Sequence, residues 1–214
     1  MPKILLHICC APCSLAPMRR LTEAGTTFLS WYDNPNIEPE QEYQLRRDTF
    51  FAHARQCGLS YLEGDYEPKA FHEAIALHAG VFPLSENDAE RKEALRLRRA
   101  RCAACYRLRF TRLAQAAHAR NIPSIATTLS VSPWQFTDLM ASEMERAAAL
   151  YGLTSAFADY RADYLETTKR SRECGMYRQN YCGCSFSRRE AELERAARKA
   201  HRQAAKASKQ SDSR

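Results

Sequence analysis

The sequence has no long apolar run and few glycines, and both absences exclude classes of protein. No stretch approaches the roughly 20 apolar residues of a membrane span. The first residues lack the charged region and apolar core of a secretory signal. Among only seven glycines there is no glycine fingerprint for a flavin or a nicotinamide. We therefore expect a cytoplasmic protein without such a cofactor site of its own.

The overall composition is that of an ordinary soluble globular protein. Of the 214 residues, 45% are hydrophobic and 27% are charged, which excludes a collagen-like, mucin-like or wholly disordered chain. A chain of this length buries roughly 70% of its unfolded surface, so it needs no disulfide framework to fold. We predict one domain over residues 1–187, followed by a basic helical tail, partly disordered, over residues 188–214.

Cysteine and positive charge are what the sequence has in excess. There are nine cysteines, and in a reducing cytosol such a number favours metal binding or redox catalysis over structural disulfides. The net charge of +7 is uneven: residues 91–120 hold ten Lys and Arg against one acid, and residues 185–214 hold nine against four. This pattern indicates a polyanionic partner, most simply a nucleic acid. For the tail, a solvated helix explains the charge equally well.

Short apolar runs alternate with helical segments along the chain. Helical periodicity separates the runs, and the segment from residue 86 to 120 is predicted as two helices. The alternation predicts an α/β fold: a parallel sheet of about four to five strands with helices on both faces, plus a Cys-rich segment and a C-terminal basic helix. Ligands bind such sheets outside the carboxyl ends of the strands. The strands are predicted at residues 3–8, 27–32, 60–62, 125–129 and 156–160.

Eight of the nine cysteines fall into three clusters. They are Cys9, Cys10 and Cys13 after the first strand, Cys102 and Cys105 on one face of a helix, and Cys174, Cys182 and Cys184 in an irregular segment. Four thiolates bind Zn²⁺ or an iron–sulfur cluster, and ligands at the functional edge of a sheet favour the cluster. The CxC pair is either a strained, easily reduced disulfide or two more metal ligands. The ninth, Cys57, is predicted to be a core residue.

Four segments together resemble the cobalamin-independent QueH family of epoxyqueuosine reductases. They are LLHICCAPCS at 5–14, NPNI at 34–37 with Glu42-Tyr43, RCAACYRLR at 101–109 and SRECGMYRQNYCGCSFS at 171–187. TTLSVSPWQ at 127–135 also looks like the family. The resemblance spans roughly residues 3–187, so the basic tail lies outside it. Asp33 departs from the family, which prefers an aromatic residue there.

This resemblance implies a HUP-like fold and a tRNA-modifying reductase. The reaction is the last step of queuosine biosynthesis: epoxyqueuosine at the wobble position of a tRNA anticodon loses its epoxide oxygen as water, with two electrons and two protons. An unidentified donor supplies the electrons. The implied site consists of a 4Fe–4S cluster on Cys9, Cys10, Cys102 and Cys105, a redox-active disulfide between Cys182 and Cys184, and an additional mononuclear iron with Cys13 and Asp33 as candidate ligands.

Two further roles follow from the placement of residues around these motifs. Arginines that surround the CxxC, among them Arg99, Arg107 and Arg109, are expected to contact tRNA phosphates. Trp134 follows the fourth strand and is expected to stack on a base that is splayed out of the loop. The candidates for the acid that protonates the epoxide oxygen are His7, Tyr32, Asp33 and Tyr177.

Three alternatives stay open at this point. A cluster-dependent tRNA sulfurtransferase needs a glycine-rich pyrophosphate loop after the first strand, but here that turn is HICCAPCS, with no glycine before Gly25. A zinc-stabilised RNA-binding module predicts a colourless protein whose fold depends on zinc. A thiol oxidoreductase that uses the CGC pair alone leaves the arginine cluster and the adjacent cysteines unexplained.

Overall fold

A parallel five-stranded sheet forms the centre of the protein, in the strand order β3-β2-β1-β4-β5. The structure, a computed structural model, describes residues 1–211, with side chains described to residue 204. The predicted α/β fold with a parallel sheet is confirmed. The strands are β1 (Ile4–His7), β2 (Phe28–Tyr32), β3 (Tyr61–Glu63), β4 (Ser124–Thr127) and β5 (Thr154–Ser155).

Helices follow each of the first four strands. Across the described residues none of them is both long and apolar enough to cross a membrane. Three single turns of 3-10 helix lie at Ala76–His78, Leu129–Val131 and Arg161–Asp163. The α-helices are α1 (Ala11–Glu23), α2 (Glu40–Gln56), α3 (Pro68–Ile75), α4 (Asp88–His118), α5 (Thr137–Leu150), α6 (Tyr164–Glu173) and α7 (Ser185–Ser211).

The central strand β1 divides its side chains between two cores. Successive side chains of a strand point to opposite faces of the sheet. Leu5 accordingly packs in the core formed with α4 and α5, whereas Ile4 and Leu6 pack in the core formed with α1 and α2. Because full burial of each such side chain stabilises the fold by roughly 1.5–3 kcal/mol, helices are held on both faces of the sheet.

Three details differ from the sequence-based expectations. The helix α4 runs unbroken for 31 residues instead of forming two pieces, because no glycine or proline interrupts it. The strand β5 covers only Thr154–Ser155, upstream of residues 156–160, because its pairing with β4 ends at the register Ile125–Ser155. Cys57 is exposed and not a core residue, because α2 ends at Gln56 and the chain leaves the core there.

The last helix is attached to the sheet domain through α4 by buried charge. Arg101 and Glu190, each 3% exposed, form a two-pronged ion pair with distances of 2.8 Å from Nη1 to Oε1 and 3.0 Å from Nη2 to Oε2. One turn further along, Arg98 pairs with Glu194. The helix therefore crosses the predicted boundary at residue 187. The part of the tail predicted to be disordered extends into residues 212–214, which lie outside the described residues.

Replacing Glu190 by Gln is expected to lower the free energy of unfolding by about 3 kcal/mol, because the buried Arg101 guanidinium loses its counter-charge. Urea unfolding at neutral pH measures the change. Glu192→Gln is the matched control, since the Glu192 side chain is 41% exposed and pairs with surface arginines. Its expected change is below about 0.5 kcal/mol. Equal losses in the two variants would contradict the role of the buried pair.

Candidate metal and thiol site

Three thiols lie together at the carboxyl end of β1. Cys9 and Cys10 follow the strand, and Cys10 caps α1 by accepting a hydrogen bond from the backbone N–H of Cys13 at 3.4 Å. The Sγ atoms of these three cysteines all lie within 4.8 Å of one another. Thr128, directly after the neighbouring strand β4, donates to Cys9 Sγ at 3.4 Å. The thiols thus occupy the point where the strand order reverses, which is the usual ligand position of such sheets.

Hydrogen bonds among these three thiols shift their pKa values in opposite directions. The shifts show whether the group suits a metal ion. Burial disfavours the Cys10 thiolate, but hydrogen bonds from Cys13, Cys9 and Gln179 outweigh burial and hold its pKa well below the ordinary value. The hydrogen bond to Cys10 raises the pKa of Cys9 to about 11, and the pKa of Cys13 is raised well above its usual value for the same reason. Since like charges repel, all three sulfurs ionise together only around a cation. The donor set therefore fits a thiolate-bound metal or cluster.

The CxxC pair on α4 reaches both of the other cysteine clusters. Cys102 packs against the core that contains Cys9 and Cys10, and Cys105 packs in a small cluster with Cys184. Burial raises the pKa of the Cys105 thiol to about 12, although the nearby Arg109 charge lowers it. In the described part of the chain, the group of thiols within 4.8 Å of one another includes neither Cys102 nor Cys105, so these two pack near the other cysteines without joining that group.

The Cys182-Gly183-Cys184 segment, here called the CGC loop, fits against the loop that follows β2. Its cysteines are free thiols, Cys182 exposed and Cys184 buried. Gly183 has a φ of +154°, and a Cβ atom there would lie 2.9 Å from Asn36 Nδ2. Its carbonyl accepts a hydrogen bond from the Glu38 N–H at 2.9 Å. Only glycine allows this approach, so the two loops fix each other.

Sequence reasoning missed a buried arginine that joins the clusters. Arg46, 2% exposed, donates from Nη1 to the Cys182 carbonyl at 2.8 Å and from Nη2 to the Tyr181 carbonyl at 3.3 Å. Its Nε donates to Glu42 Oε1 at 2.7 Å. Burial works against the charge, but the bond to Glu42 and the nearby Cys10 and Cys182 raise its pKa above the usual value. A positive charge is therefore held beside both thiol groups.

The signal for Arg46 was its position on α2. It lies on the same helical face as Tyr43 and Phe50, three residues after the first and four before the second, and both of these are buried. An arginine on the apolar face of a helix is rarely buried unless it has polar partners. The position of Arg46 therefore indicated a polar contact in the interior.

Two glutamines donate amide hydrogen bonds to site sulfurs, and sequence reasoning did not single out either. The Nε2 of Gln179 lies 3.0 Å from Cys10 Sγ, and the Nε2 of Gln135 lies 3.4 Å from Cys182 Sγ. The Tyr106 hydroxyl donates to Gln135 Oε1 at 2.6 Å, which fixes the direction of that amide. Such donors around sulfur ligands orient them and tune a bound metal.

His7 and Arg109 form a buried network beneath the thiols. Arg109 Nη2 donates to Asn34 Oδ1 at 2.6 Å and to His7 Nε2 at 3.1 Å, while His7 Nδ1 lies 2.9 Å from Thr127 Oγ1. Burial first, and then the Arg109 charge, lowers the pKa of His7 to about 3. His7 is therefore neutral near pH 7 and is not an acid there. Because Arg109 is 2% exposed, the expectation that it contacts phosphate is wrong.

The Asp33 carboxylate is engaged by an arginine of α4. Its carboxylate is fully buried and accepts from Arg112 Nε at 2.8 Å and from Arg112 Nη2 at 2.9 Å. In the described part of the chain, the metal-type cluster that includes Cys13 does not include Asp33. Burial raises the pKa of Asp33 although Arg112 opposes the shift. Since its charge is neutralised by this ion pair, the structure gives no support to Asp33 as an iron ligand.

The two candidate tyrosines differ in their surroundings. Tyr32 is fully buried and donates its hydroxyl to the Tyr43 carbonyl at 3.0 Å. Tyr177 is only partly buried and donates to Glu42 Oε2 at 2.8 Å, next to Arg46 and the CGC loop. Of these two residues, Tyr177 is the one that is partly open to solvent.

The remaining residues expected to bind RNA lie at the surface. Arg99 pairs with Asp138, and Arg107 pairs with Glu143 at 2.7 Å; their side chains are 40% and 61% exposed. Trp134 is 79% exposed. The tryptophan ring is thus free to stack, whereas each arginine must leave a carboxylate before it can meet a phosphate.

A Rossmann-type parallel sheet with clustered thiols at its ligand-binding edge defines a metal-dependent or redox-active α/β protein. The chain matches the family model described as epoxyqueuosine reductase QueH over residues 4–190. It is 31% identical over 195 residues to the epoxyqueuosine reductase QueH of Histophilus somni, which covers 88% of this chain and 73% of that protein. It is also 31% identical over 206 residues to that of Thermotoga maritima, covering 94% and 100%. The chain belongs to the QueH family of epoxyqueuosine reductases, which are oxidoreductases, and the resemblance seen in the sequence is confirmed.

Gly183→Ala is expected to loosen the CGC loop, because the added methyl group meets Asn36 in a backbone conformation that alanine disfavours. The measurement is the rate at which a thiol reagent modifies Cys184 in the native protein, and we expect it to rise at least tenfold. Gly152→Ala is the matched control: its φ is also positive, at +67°, but nothing lies within 4 Å of the added Cβ. An unchanged rate for Gly183→Ala would contradict the proposed fit of the loops.

Proposed function

We propose that this protein reduces epoxyqueuosine to queuosine at the wobble position of tRNA, the last step of queuosine biosynthesis, in the cytoplasm. The observation that carries the proposal is the group of three thiols at the ligand-binding edge of the sheet, with the CxxC thiols of α4 packed against the neighbouring core clusters, in a chain of this family. The turn after β1 is HICCAPCS and not a glycine-rich pyrophosphate loop, which favours reduction over sulfur transfer.

The reaction has a definite electron count. Both carbon–oxygen bonds of the epoxide break, the two carbons gain a double bond, and the oxygen leaves as water. This takes up two electrons and two protons. The protein therefore needs a route for electrons and a supply of protons at the substrate.

The cluster is assigned to Cys9, Cys10, Cys102 and Cys105. A 4Fe–4S cluster supplies one-electron transfer through its thiolate ligands. The buried charge of Arg46 offsets part of the negative charge of the sulfurs, and Gln179 orients Cys10. We assign Cys13, the third thiol of the group within 4.8 Å, to the additional mononuclear iron.

The CGC loop is the second redox element. When the Cys182 and Cys184 thiols become a disulfide, one sulfur–sulfur bond forms, and two electrons and two protons are released. This is the number that the epoxide consumes. Two successive one-electron transfers from an external carrier, together with two protons, then return the disulfide to the dithiol. The exposure of Cys182 favours contact with substrate, and Gln135 fixes the position of its sulfur.

The tRNA is assigned to the surface around these thiols. Trp134 provides an exposed aromatic face for a splayed base. Arg99 and Arg107 contact phosphates when they release Asp138 and Glu143. Arg109 is left out of this set because it is buried.

The test is an anaerobic assay on tRNA that carries epoxyqueuosine, with a chemical one-electron reductant. Mass spectrometry of the modified nucleoside measures the reaction, and loss of one oxygen atom supports the proposal. The same preparation is analysed for metal. About four or five irons per chain and a band near 400 nm are expected for thiolate-bound cluster iron. One zinc and no colour, or an unchanged nucleoside, would contradict the proposal.

Cys102→Ala is expected to remove the visible absorbance and most of the iron, because a cluster with three of its four thiolates dissociates readily. Iron content and the spectrum measure this after anaerobic purification. Cys57→Ala removes an exposed thiol far from the site in the sequence and serves as the control. Unchanged iron in Cys102→Ala would disprove the assigned ligand set.

Cys184→Ser is expected to keep the iron and to lose turnover by at least 100-fold, because serine cannot form the disulfide. Cys174→Ser, in the same segment but at an exposed cysteine, is the control and is expected to remain active. Turnover on epoxyqueuosine tRNA and iron content are measured side by side. Full activity of Cys184→Ser would refute the role of the CGC loop.

A further inference from the structure

The most basic helix in the sequence, α4, has most of its positive charge neutralised by carboxylates of the same chain. Ion pairs join its arginines to its own first turns, to α5, to α7 and to the loops after β2 and β3. These paired arginines therefore reach an outside anion only after they release a partner. The pairs are Arg96–Glu93, Arg98–Glu194, Arg99–Asp138, Arg101–Glu190, Arg107–Glu143 and Arg112–Asp33.

The helix α7, in contrast, carries a group of cations without carboxylate partners among the residues whose side chains are described. Arg195, Arg198, Lys199 and Arg202 are all exposed, and none forms an ion pair with a carboxylate in the part of the chain whose side chains are described. Their spacing of i, i+3, i+4 and i+7 places them on one face of the helix. We call this face the basic stripe. It is distinct from the face that attaches α7 to α4 through Glu190 and Glu194.

Arg195, the first residue of the basic stripe, contacts the Cys-rich segment. The Nη1 of Arg195 donates to the Asn180 carbonyl at 3.3 Å, and the neighbouring Gln179 contacts Cys10 Sγ. The helix itself starts directly after Cys184. At about 1.5 Å per residue, the stripe from Arg195 to Arg202 extends about 10 Å along the axis. From Arg195 the stripe runs along α7 in the direction away from the CGC loop.

We propose that the basic stripe binds the phosphate backbone of the tRNA whose wobble base lies at the thiols. This inference rests on the proposed function for the identity of the RNA. At about 3.4 Å per phosphate, the axial spacing in a DNA duplex strand, the stripe covers about three spacings and so reaches about four phosphates. Among the residues whose side chains are described, its cations have no ion pair to break, which distinguishes them from the paired arginines of α4. The ion pairs of Glu190 and Glu194 attach α7 to α4 and so hold the stripe in a fixed position relative to the site.

The test measures binding of unmodified tRNA by the full chain, because binding of that RNA does not depend on the reduction. In the variant Arg195→Gln/Arg198→Gln/Lys199→Gln/Arg202→Gln, Kd is expected to rise at least tenfold. The slope of log Kd against log salt is expected to fall by about 3 to 4, since each lost phosphate contact removes about 0.9. Iron content and circular dichroism are expected to stay as in the unchanged protein.

A matched control removes the same charge elsewhere. Lys3→Gln/Lys69→Gln/Arg120→Gln/Lys169→Gln changes four exposed cations on other parts of the surface, and its Kd is expected to change less than threefold. A second variant, Arg198→Gln/Lys199→Gln/Arg202→Gln, keeps the contact of Arg195 with Asn180. It separates lost phosphate binding from a loosened Cys-rich segment, and its Kd is still expected to rise several-fold.

The outcomes separate this inference from the proposed function. Equal weakening in the stripe variant and the control would mean general charge attraction and would overturn the inference, even if the unchanged protein reduces epoxyqueuosine. Absence of tRNA binding by the unchanged protein would also overturn it. Stripe-dependent tRNA binding without reduction of epoxyqueuosine would support the inference and contradict the proposed function. Weakened binding together with a raised KM for epoxyqueuosine tRNA would support both.

Discussion

Three sulfur atoms lie within 4.8 Å of one another at the buried carboxyl end of β1, where a negative charge on one opposes a charge on the next. The surrounding structure answers this repulsion. Arg46 lies buried near Cys10 and Cys182, and amide and hydroxyl donors reach the sulfurs. A soft cation bound by thiolates would complete this balance of charge. The site is therefore best understood as an arrangement that lowers the cost of keeping several thiolates together.

Buried arginines also connect the loops that make up the site. Arg109 joins the loop after β2 to β1 through Asn34 and His7, and Arg101 joins α7 to α4 through Glu190. Each guanidinium has several donors in one plane and so holds several acceptors at fixed angles. Losing one partner leaves a charge in a poorly solvated place, so these contacts specify one arrangement of the loops.

The sequence allowed most of the fold and the cysteine clusters to be predicted, for physical reasons that are local. Apolar runs such as residues 3–8 are too short for helices, and the spacing of Cys102 and Cys105 places both on one helical face. The burial of Arg109 and Asp33 and the identity of their partners could not be predicted, because nothing in the neighbouring sequence distinguishes a buried charge from an exposed one. Arg109 looked like its neighbours on a basic helix, yet it is buried and donates hydrogen bonds to His7 of β1 and to Asn34. Asp33 looked available as a ligand, yet Arg112, 79 residues away, occupies both of its oxygens.

By itself the sequence determined the parallel α/β fold, the thiol-rich edge of the sheet and the family, since alternation, spacing and motif are properties of neighbouring residues. Only the tertiary structure decided which charged side chains form ion pairs within the protein and which face outward. An ion pair depends on two residues that are distant in the chain, and its strength depends on burial, which no short segment contains. For that reason the arginine-rich helix α4 has most of its charge neutralised, whereas the cations of the basic stripe on α7 face outward.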